Sequence, residues 1–482
     1  MGHNIFKRLT AAILCVCLIL PAITARADNH AIIENLPVYT DGQLCDGVIK
    51  TLHYAYAFNR YVSLRDMGRA MNGSGKSFNV SYAGDTFDIK SGEAYNARGG
   101  EGEAFTSAGG AEDPYKTGGL KNSLLSRNGE ALKYSCFTGK NGSGVQDVFV
   151  SIADLAMILD CNMWFEEGKL YIDSSSPFTV DMERLSQEGF YSEVAGAIAG
   201  DVTDGEIFAS YREDLPVAIA STTKLMSYLL VMEEISAGRL SLDEQVNIPA
   251  EADALSKTSD GVIAMTEGET ATVRDLVTGA LLPSSNECVL TLAVRVAGSE
   301  AAFVEKMNKK AAELGLSDGC RFYNCHGLPV FTNTLAATKM QNTMSAADMF
   351  KLVSHILAVY PQITDITSQK TARLESFSRE VKNTNPVLYD LPECVGLKTG
   401  TTYAAGACLV SAARVADSAG TEHTVVAVEF GAEDSTIRCT LSEILLRYGM
   451  QRVRGNAVES PSSAGSTEMP RDAESLIRLI LQ

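Results

Sequence analysis

The chain has 482 residues, 45% of them apolar and 21% charged, and carries a formal net charge of −18. Its length is about three times that of a typical domain of ~150 residues, so two or more cores are expected, and the apolar fraction is large enough to fill them. So acidic a chain makes a poor partner for nucleic acid or anionic lipid.

Residues 1–27 read as a signal peptide. Lys7 and Arg8 precede an apolar run from Leu9 to Leu20, Pro21 breaks it, and Ala25-Arg26-Ala27 forms a small-x-small cleavage site. The run is shorter than the ~20 residues that span a bilayer, which favours a leader over an anchor, and no later stretch is long enough to cross either. Cleavage before Asp28 removes three basic residues and no acid, so the net charge moves from −18 to −21. It also removes Cys15 and Cys17, leaving an odd number of widely spaced cysteines with no CxxC pair. The histidines are scattered too, so neither a zinc site nor any other cofactor is expected. Most thiols read as small core residues, with Cys320 and Cys325 as the spacing able to pair.

Two segments of the N-terminal third repeat one pattern. Tyr61-Val62-Ser63-Leu64-Arg65-Asp66-Met67 runs on through Asp85 to Ile89, and Phe149-Val150-Ser151-Ile152-Ala153-Asp154-Leu155 runs on through Lys169 to Asp173. Each predicts a short strand ending at a capping Ser, a helix with Asp in its first turn, and a β-hairpin. Residues 28–175 therefore read as a duplicated α+β domain. The pattern resembles the stalk-like domain named after the N-terminus of copper amine oxidases, and no copper ligands come with it. Between the repeats, residues 92–145 are rich in Gly, Ser and Asn and predict a long excursion loop.

Ser174-Ser175-Ser176-Pro177 reads as the linker to a second domain, residues 176–450. There, Val194 to Gly200 and Glu206 to Ser210 read as strands joined at Thr203-Asp204-Gly205. Helical periodicity follows from Ser221 to Ile235, Val273 to Leu282, Glu287 to Val296, Phe303 to Leu314 and Ser345 to Val359. Strands from Ala407 to Ala413 and from Thr424 to Phe430 precede a last helix from Ser435 to Tyr448. The fold class is mixed α/β, with strands from both ends of the domain forming an antiparallel sheet covered by helices.

Ser221-Thr222-Thr223-Lys224 opens a helix, and positions i and i+3 share a face, so the Lys224 amine can reach the Ser221 hydroxyl. The helix N-terminus favours the negative charge that would develop there. A lone SxxK is weak, because a capping Ser with a solvated Lys looks the same. Two further elements follow in order, Ser284-Ser285-Asn286 and Lys398-Thr399-Gly400, each after a short apolar run. A second KTG, Lys116-Thr117-Gly118, lies in the Gly-rich stretch upstream of the serine and is read as structural.

In that order, SxxK, SxN and KTG resemble the motifs of penicillin-recognising serine enzymes. Residues 190–450 are similar to the low-molecular-mass penicillin-binding proteins that are serine-type D-alanyl-D-alanine carboxypeptidases. The similarity extends to Met265-Thr266-Glu267-Gly268-Glu269, Phe303-Val304-Glu305-Lys306-Met307-Asn308, His326-Gly327-Leu328, Asn383-Thr384-Asn385-Pro386 and Ala405-Gly406. It implies Ser221 as nucleophile, Lys224 as its activating base, Ser284 as a proton relay, and Asn286 as the holder of the substrate amide and the Lys224 head. Lys398 and Thr399 would bind a substrate carboxylate, Gly400 would let substrate backbone lie alongside, and the amides of Ser221 and Thr401 would form the oxyanion hole. Arg438 falls where the family carries a carboxylate-binding arginine, with a surface helix arginine as the alternative. Burial and the charge of Lys398 are both expected to keep Lys224 neutral.

The sequence departs from that pattern at Cys325, where proline is common, at Glu287, where aspartate is usual, and at Thr401, where a bulkier residue is frequent. The short tail, residues 451–482, leaves no room for the family's usual C-terminal β-domain. Its last turns place Ala473, Leu476, Ile477 and Ile480 on one face, a weak membrane-lying surface at most. The expected protein is an exported cell-envelope hydrolase that removes the terminal D-alanine of peptidoglycan pentapeptide stems, with β-lactam antibiotics as covalent inhibitors. The rivals are a class A-like β-lactamase, for which Glu305-Lys306-Met307-Asn308 would be the Glu-x-x-Asn string, and a catalytically silent wall-binding protein.

Overall fold

The computed structural model describes residues 31–54, 60–104, 121–140, 143–180, 194–331 and 339–455. The expected leader, the KTG at 116–118 and the apolar face at 473–480 lie outside them. The chain divides into two compact units, residues 1–152 with 168–170, and residues 153–167 with 171–482.

In the first unit, β1 (Ala31–Thr40) and β2 (Gln43–Tyr54) pair through Asp41-Gly42, both at positive φ, as a tight two-residue hairpin requires. They are followed by β3 (Tyr61–Ser63), α1 (Leu64–Ala70), and the hairpin β4 (Phe78–Ala83) and β5 (Thr86–Ser91). Then come β6 (Lys121–Arg127), β7 (Glu130–Lys140) and β8 (Gln146–Ser151). These eight strands lie in the order β4-β5-β6-β7-β8-β3-β2-β1. After β8 the chain continues through α2 (Ile152–Leu159) and β9 (Asn162–Glu166), which beyond residue 152 belong to the second unit, and β10 (Lys169–Asp173), at which the division falls. The strand-helix-hairpin pattern thus occurs twice, and Ser63 caps α1 by accepting from the Asp66 amide.

The stretch 92–145 is not a simple excursion loop, because β6 and β7 lie within it. Their polar composition hid the strand pattern. Ser123, Ser126 and Thr138 are buried and satisfied within the sheet, Ser126 by the Asp88 carboxylate at 2.9 Å. The segment before β6 is held as well: Asp66 accepts from the Gly102 amide at 2.8 Å, and Lys50 Nζ donates to Gly100 O.

In the second unit, β11 (Gly196–Asp201) and β12 (Glu206–Tyr211) form the expected hairpin. A single 3₁₀ turn, Ala220–Thr223, leads into α3 (Lys224–Ser236). The helices α4 (Val273–Leu281), α5 (Asn286–Ala297), α6 (Glu300–Glu313) and α7 (Ala346–Val359) follow, each with a Ser or Thr before it accepting a first-turn amide. The chain then enters β13 (Cys394–Thr402), β14 (Gly406–Ala416) and β15 (Glu422–Ala432), followed by α8 (Ser435–Val453). The sheet is antiparallel, in the order β12-β11-β15-β14-β13, so strands from both ends of the unit meet at its centre and β13 is an edge. Helices α7 and α8 pack on this sheet, and α3 is buried among α4, α5, α6 and α7. The fold is the expected antiparallel sheet with helices.

Candidate active site

The site begins with a strained turn. Ala220, just before Ser221, has φ 47°, and Ser284 has φ 67°. L residues adopt this left-handed region at a cost of about 1 kcal/mol or more, and such strain concentrates where function holds a side chain. One turn later α3 brings Lys224 back over the serine, with Nζ 2.8 Å from Ser221 Oγ. The same ammonium donates to Asn286 Oδ1 at 2.8 Å and to the His326 carbonyl at 2.9 Å. Asn286 is the first residue of α5, and its Nδ2 donates to Asp260 O at 2.9 Å, which fixes the amide so that its oxygen faces Lys224.

Lys224 is 1% exposed, and burial pushes its amine down to about 7, although the charge of Glu287 opposes the shift. Lys398 is pushed well below the ordinary lysine range as well, by burial first and then by the charges of Lys224 and Arg438, and repulsion between two buried amines acts on both of them. Burial and the Lys224 charge also drive the His326 imidazole down to about 3. Its Nδ1 accepts from the Leu328 amide at 3.1 Å, so it is a neutral ring.

Lys398, Thr399 and Gly400 lie on the edge strand β13. Lys398 Nζ donates to Thr399 O at 2.9 Å, and the Thr399 hydroxyl lies 2.6 Å from that of Thr384. A Cβ on Gly400 would sit 2.8 Å from the Ser221 amide nitrogen, closer than real Cβ contacts. Only glycine lets this strand approach the nucleophile turn. Arg438 is buried, which removes the surface-arginine alternative: from α8 its Nη1 donates to Gly400 O at 3.0 Å, Thr401 Oγ1 at 2.8 Å and Cys408 O at 3.3 Å. The structure therefore brings Ser221, Lys224 and Asn286 into direct contact, and Gly400 against the Ser221 amide. Ser284 sits two residues before Asn286, and no hydrogen bond joins it to Lys224 or Lys398 among the described residues.

Some contributors were not assigned from the sequence. His326-Gly327-Leu328 carries no role in the sequence pattern, yet the His326 carbonyl is the third acceptor on Lys224. Gly327 has φ 93°, and a Cβ there would collide with Ala220 O. Ser227 Oγ donates to Cys325 O at 2.6 Å and Asn342 Nδ2 to Thr223 Oγ1 at 3.0 Å, tying the 325–328 turn and the 342 region to α3. Only the glycine in that motif signals a close backbone approach. All nine cysteines among the described residues are free thiols, Cys320 and Cys325 included. Glu305 is an exposed residue within α6, and Asn308 is engaged with Val304 O and Phe322, so that string is a helix surface rather than a catalytic loop.

Among the described residues, one group has donor atoms close enough to share a cation: Asp201, Asp204 and His423, within 4.8 Å of one another. His423 is at the end of β14 and β15 away from Gly400. Burial alone would lower its pKa, but the hydrogen bond to Asp201 and the charges of Asp204 and Asp417 outweigh that and raise it.

The model of the D-alanyl-D-alanine carboxypeptidase family matches residues 185–433. The D-alanyl-D-alanine carboxypeptidase DacF of Bacillus subtilis is 30% identical over 259 residues, 52% of this chain and 60% of that protein. The carboxypeptidase DacD of Escherichia coli is 30% identical over 255 residues, 52% of this chain and 61% of its own. The chain thus matches about three fifths of the length of these curated relatives. Among solved structures, penicillin-binding protein D2 from Listeria monocytogenes in its ampicillin-bound form is 28% identical with a TM-score of 0.45, covering 53% of this chain and 96% of that one.

Proposed function

The chain belongs to the D-alanyl-D-alanine carboxypeptidase family, and from that premise we propose that it removes the terminal D-alanine of peptidoglycan pentapeptide stems through an acyl-enzyme on Ser221. The observation that carries this reading is the contact of 2.8 Å between Lys224 Nζ and Ser221 Oγ, with the amine brought to about 7 by burial. A base with its pKa near the working pH is the efficient one for moving a hydroxyl proton.

Lys224, as the free amine, takes the Ser221 proton while Oγ attacks the carbonyl carbon of the penultimate D-alanine. The oxyanion that forms lies against the amides of Ser221 and Thr401. The proton passes by way of Ser284 to the departing nitrogen, the C–N bond breaks, and D-alanine leaves as the free amino acid. Water, deprotonated by Lys224, then attacks the ester carbonyl, and Ser221 Oγ leaves with that proton. Asn286 holds the substrate amide. Lys398, Thr399 and Arg438 recognise the terminal carboxylate, whose arrival favours the charged form of Lys398.

β-Lactams acylate the same serine. Ampicillin is bound to the similar penicillin-binding protein D2, which supports that expectation. Residues 176–450 form the catalytic domain in this reading, residues 28–175 a stalk-like domain, and the signal peptide at 1–27 delivers the protein to the cell envelope.

The test is a short penicillin pulse followed over time by intact-protein mass spectrometry, beside D-alanine release from a D-Ala-D-Ala peptide. D-alanine leaves after peptide acylation, whereas the ring fragment of a penicillin stays attached and crowds the water's approach. A long-lived adduct with ready peptide turnover is expected. An adduct that clears within seconds while the peptide is barely hydrolysed overturns the reading in favour of a β-lactamase, and no adduct at all favours a silent wall-binding protein.

A further inference from the structure

Beside the lysine, serine and asparagine lies one buried acid to which the mechanism gives no task. Glu287 is fully buried in the first turn of α5, next to Asn286. Its Oε1 accepts two backbone amides, from Val262 at 2.9 Å and from Ile263. Its Oε2 has no hydrogen-bond partner. The segment that it grips is the one whose Asp260 carbonyl orients the Asn286 amide. Contacts therefore run from Glu287 to residues 260–263, back to Asn286, and on to Lys224 and Ser221.

The groups that face Lys224 can be taken element by element. From α5 they are Asn286, Glu287 and Cys288; from the 325–326 turn, Cys325 and the His326 ring; from β13, Lys398. Burial holds both thiols in their protonated form and the His326 ring is neutral, which leaves two carboxylates: Glu287 next to Asn286, and Glu300 of α6, which accepts from Cys325 and lies 3.5 Å from His326 Nε2. A buried carboxylate with one unpartnered oxygen, one residue from the asparagine that holds an ammonium without carboxylate contact, is an electrostatic arrangement as well as a clamp.

We propose that Glu287 is a positioning residue for the Lys224–Asn286 pair, which clamps residues 260–263 against α5 and places a buried carboxylate in the helix turn that carries Asn286. This rests on the reading of Lys224 as the base that activates Ser221. Two contributions can be separated because Glu287→Gln keeps an oxygen for the two amides and changes only the oxygen that bonds nothing. Glu287→Ala removes clamp and charge together, and Glu287→Asp keeps the charge on a shorter arm.

The experiment measures the rate of Ser221 acylation by a fluorescent penicillin against pH, for the full-length protein and the three variants. In the parent the rate rises with pH through a midpoint near 7, as Lys224 becomes the free amine. Removing the neighbouring negative charge disfavours the ammonium, so Glu287→Gln shifts that midpoint to lower pH by about half a unit or more. Glu287→Asp holds the parent midpoint with a lower plateau, and Glu287→Ala loses roughly 10-fold or more of the plateau as Asn286 is freed. A Glu287→Gln profile that superimposes on the parent, or moves to higher pH, overturns the inference while leaving the function intact. A parent chain that penicillin does not acylate overturns both.

Discussion

Lys50 in the first unit and Lys224 in the second are both buried lysines, 3% and 1% exposed, and each ammonium has three polar neighbours. They differ in what those neighbours are. Lys50 meets both oxygens of the Asp66 carboxylate, at 3.0 and 2.9 Å, and the Gly100 carbonyl. Lys224 meets a hydroxyl, an amide oxygen and a carbonyl, and no carboxylate. Dipoles offset part of the cost of burying a cation, whereas an adjacent anion neutralises it. The first arrangement pins a cation in place for the sake of the fold. The second leaves an amine able to lose its proton, which is what a base for Ser221 requires.

The largest expected effect separates these roles. Ser221→Ala and Lys224→Ala should each lower penicillin acylation by roughly 10⁴-fold, because nucleophile and base act as one unit. Lys398→Ala should fail by another route, with substrate binding lost, whereas Ser221→Ala still binds. Equal loss of binding in both, followed by equilibrium dialysis with a D-Ala-D-Ala peptide, would contradict the assignment.

Lys50→Met tests the other half of the comparison. It leaves Asp66 buried and uncompensated, and should cost about 3–5 kcal/mol in denaturant unfolding of the first unit. Penicillin acylation at low denaturant should stay within about twofold of the parent. A loss under about 1 kcal/mol would mean that Asp66 finds other partners and the pair is incidental.

A smaller effect is expected at Arg438, where one nitrogen bridges Gly400 O, Thr401 Oγ1 and Cys408 O. Arg438→Lys keeps the charge and loses the planar fork, so kcat/KM for a peptide with a free carboxylate should fall by about 10-fold. A substrate amidated at its C-terminus should be affected less. Equal losses on the two would make Arg438 a support for β13 alone.

Much of the catalytic unit was legible because its signals are local. The spacing of Ser221 and Lys224, the helical periodicity of α4, α5, α6 and α7, and the turn at Thr203-Asp204-Gly205 each depend on a few neighbouring residues. The strands β6 and β7 were missed because their buried faces mix polar residues with Leu125 and Cys136. Ser123, Ser126 and Thr138 look like loop composition until their partners across the sheet are known.

The residue types of the site, and the order of its three motifs, were determined by the sequence alone, since each motif carries its chemistry within three or four positions. Their electrostatics were decided by the tertiary structure. Residue spacing contains no measure of solvent, so how far burial depresses Lys224, the burial of Lys398 beside it and the placement of Arg438 behind β13 appear only when distant segments pack. The same holds for Glu287, whose neighbours at 262 and 263 lie 25 and 24 residues away along the chain. A pKa or a clamp is a property of the space around a group, and that space is made by the fold.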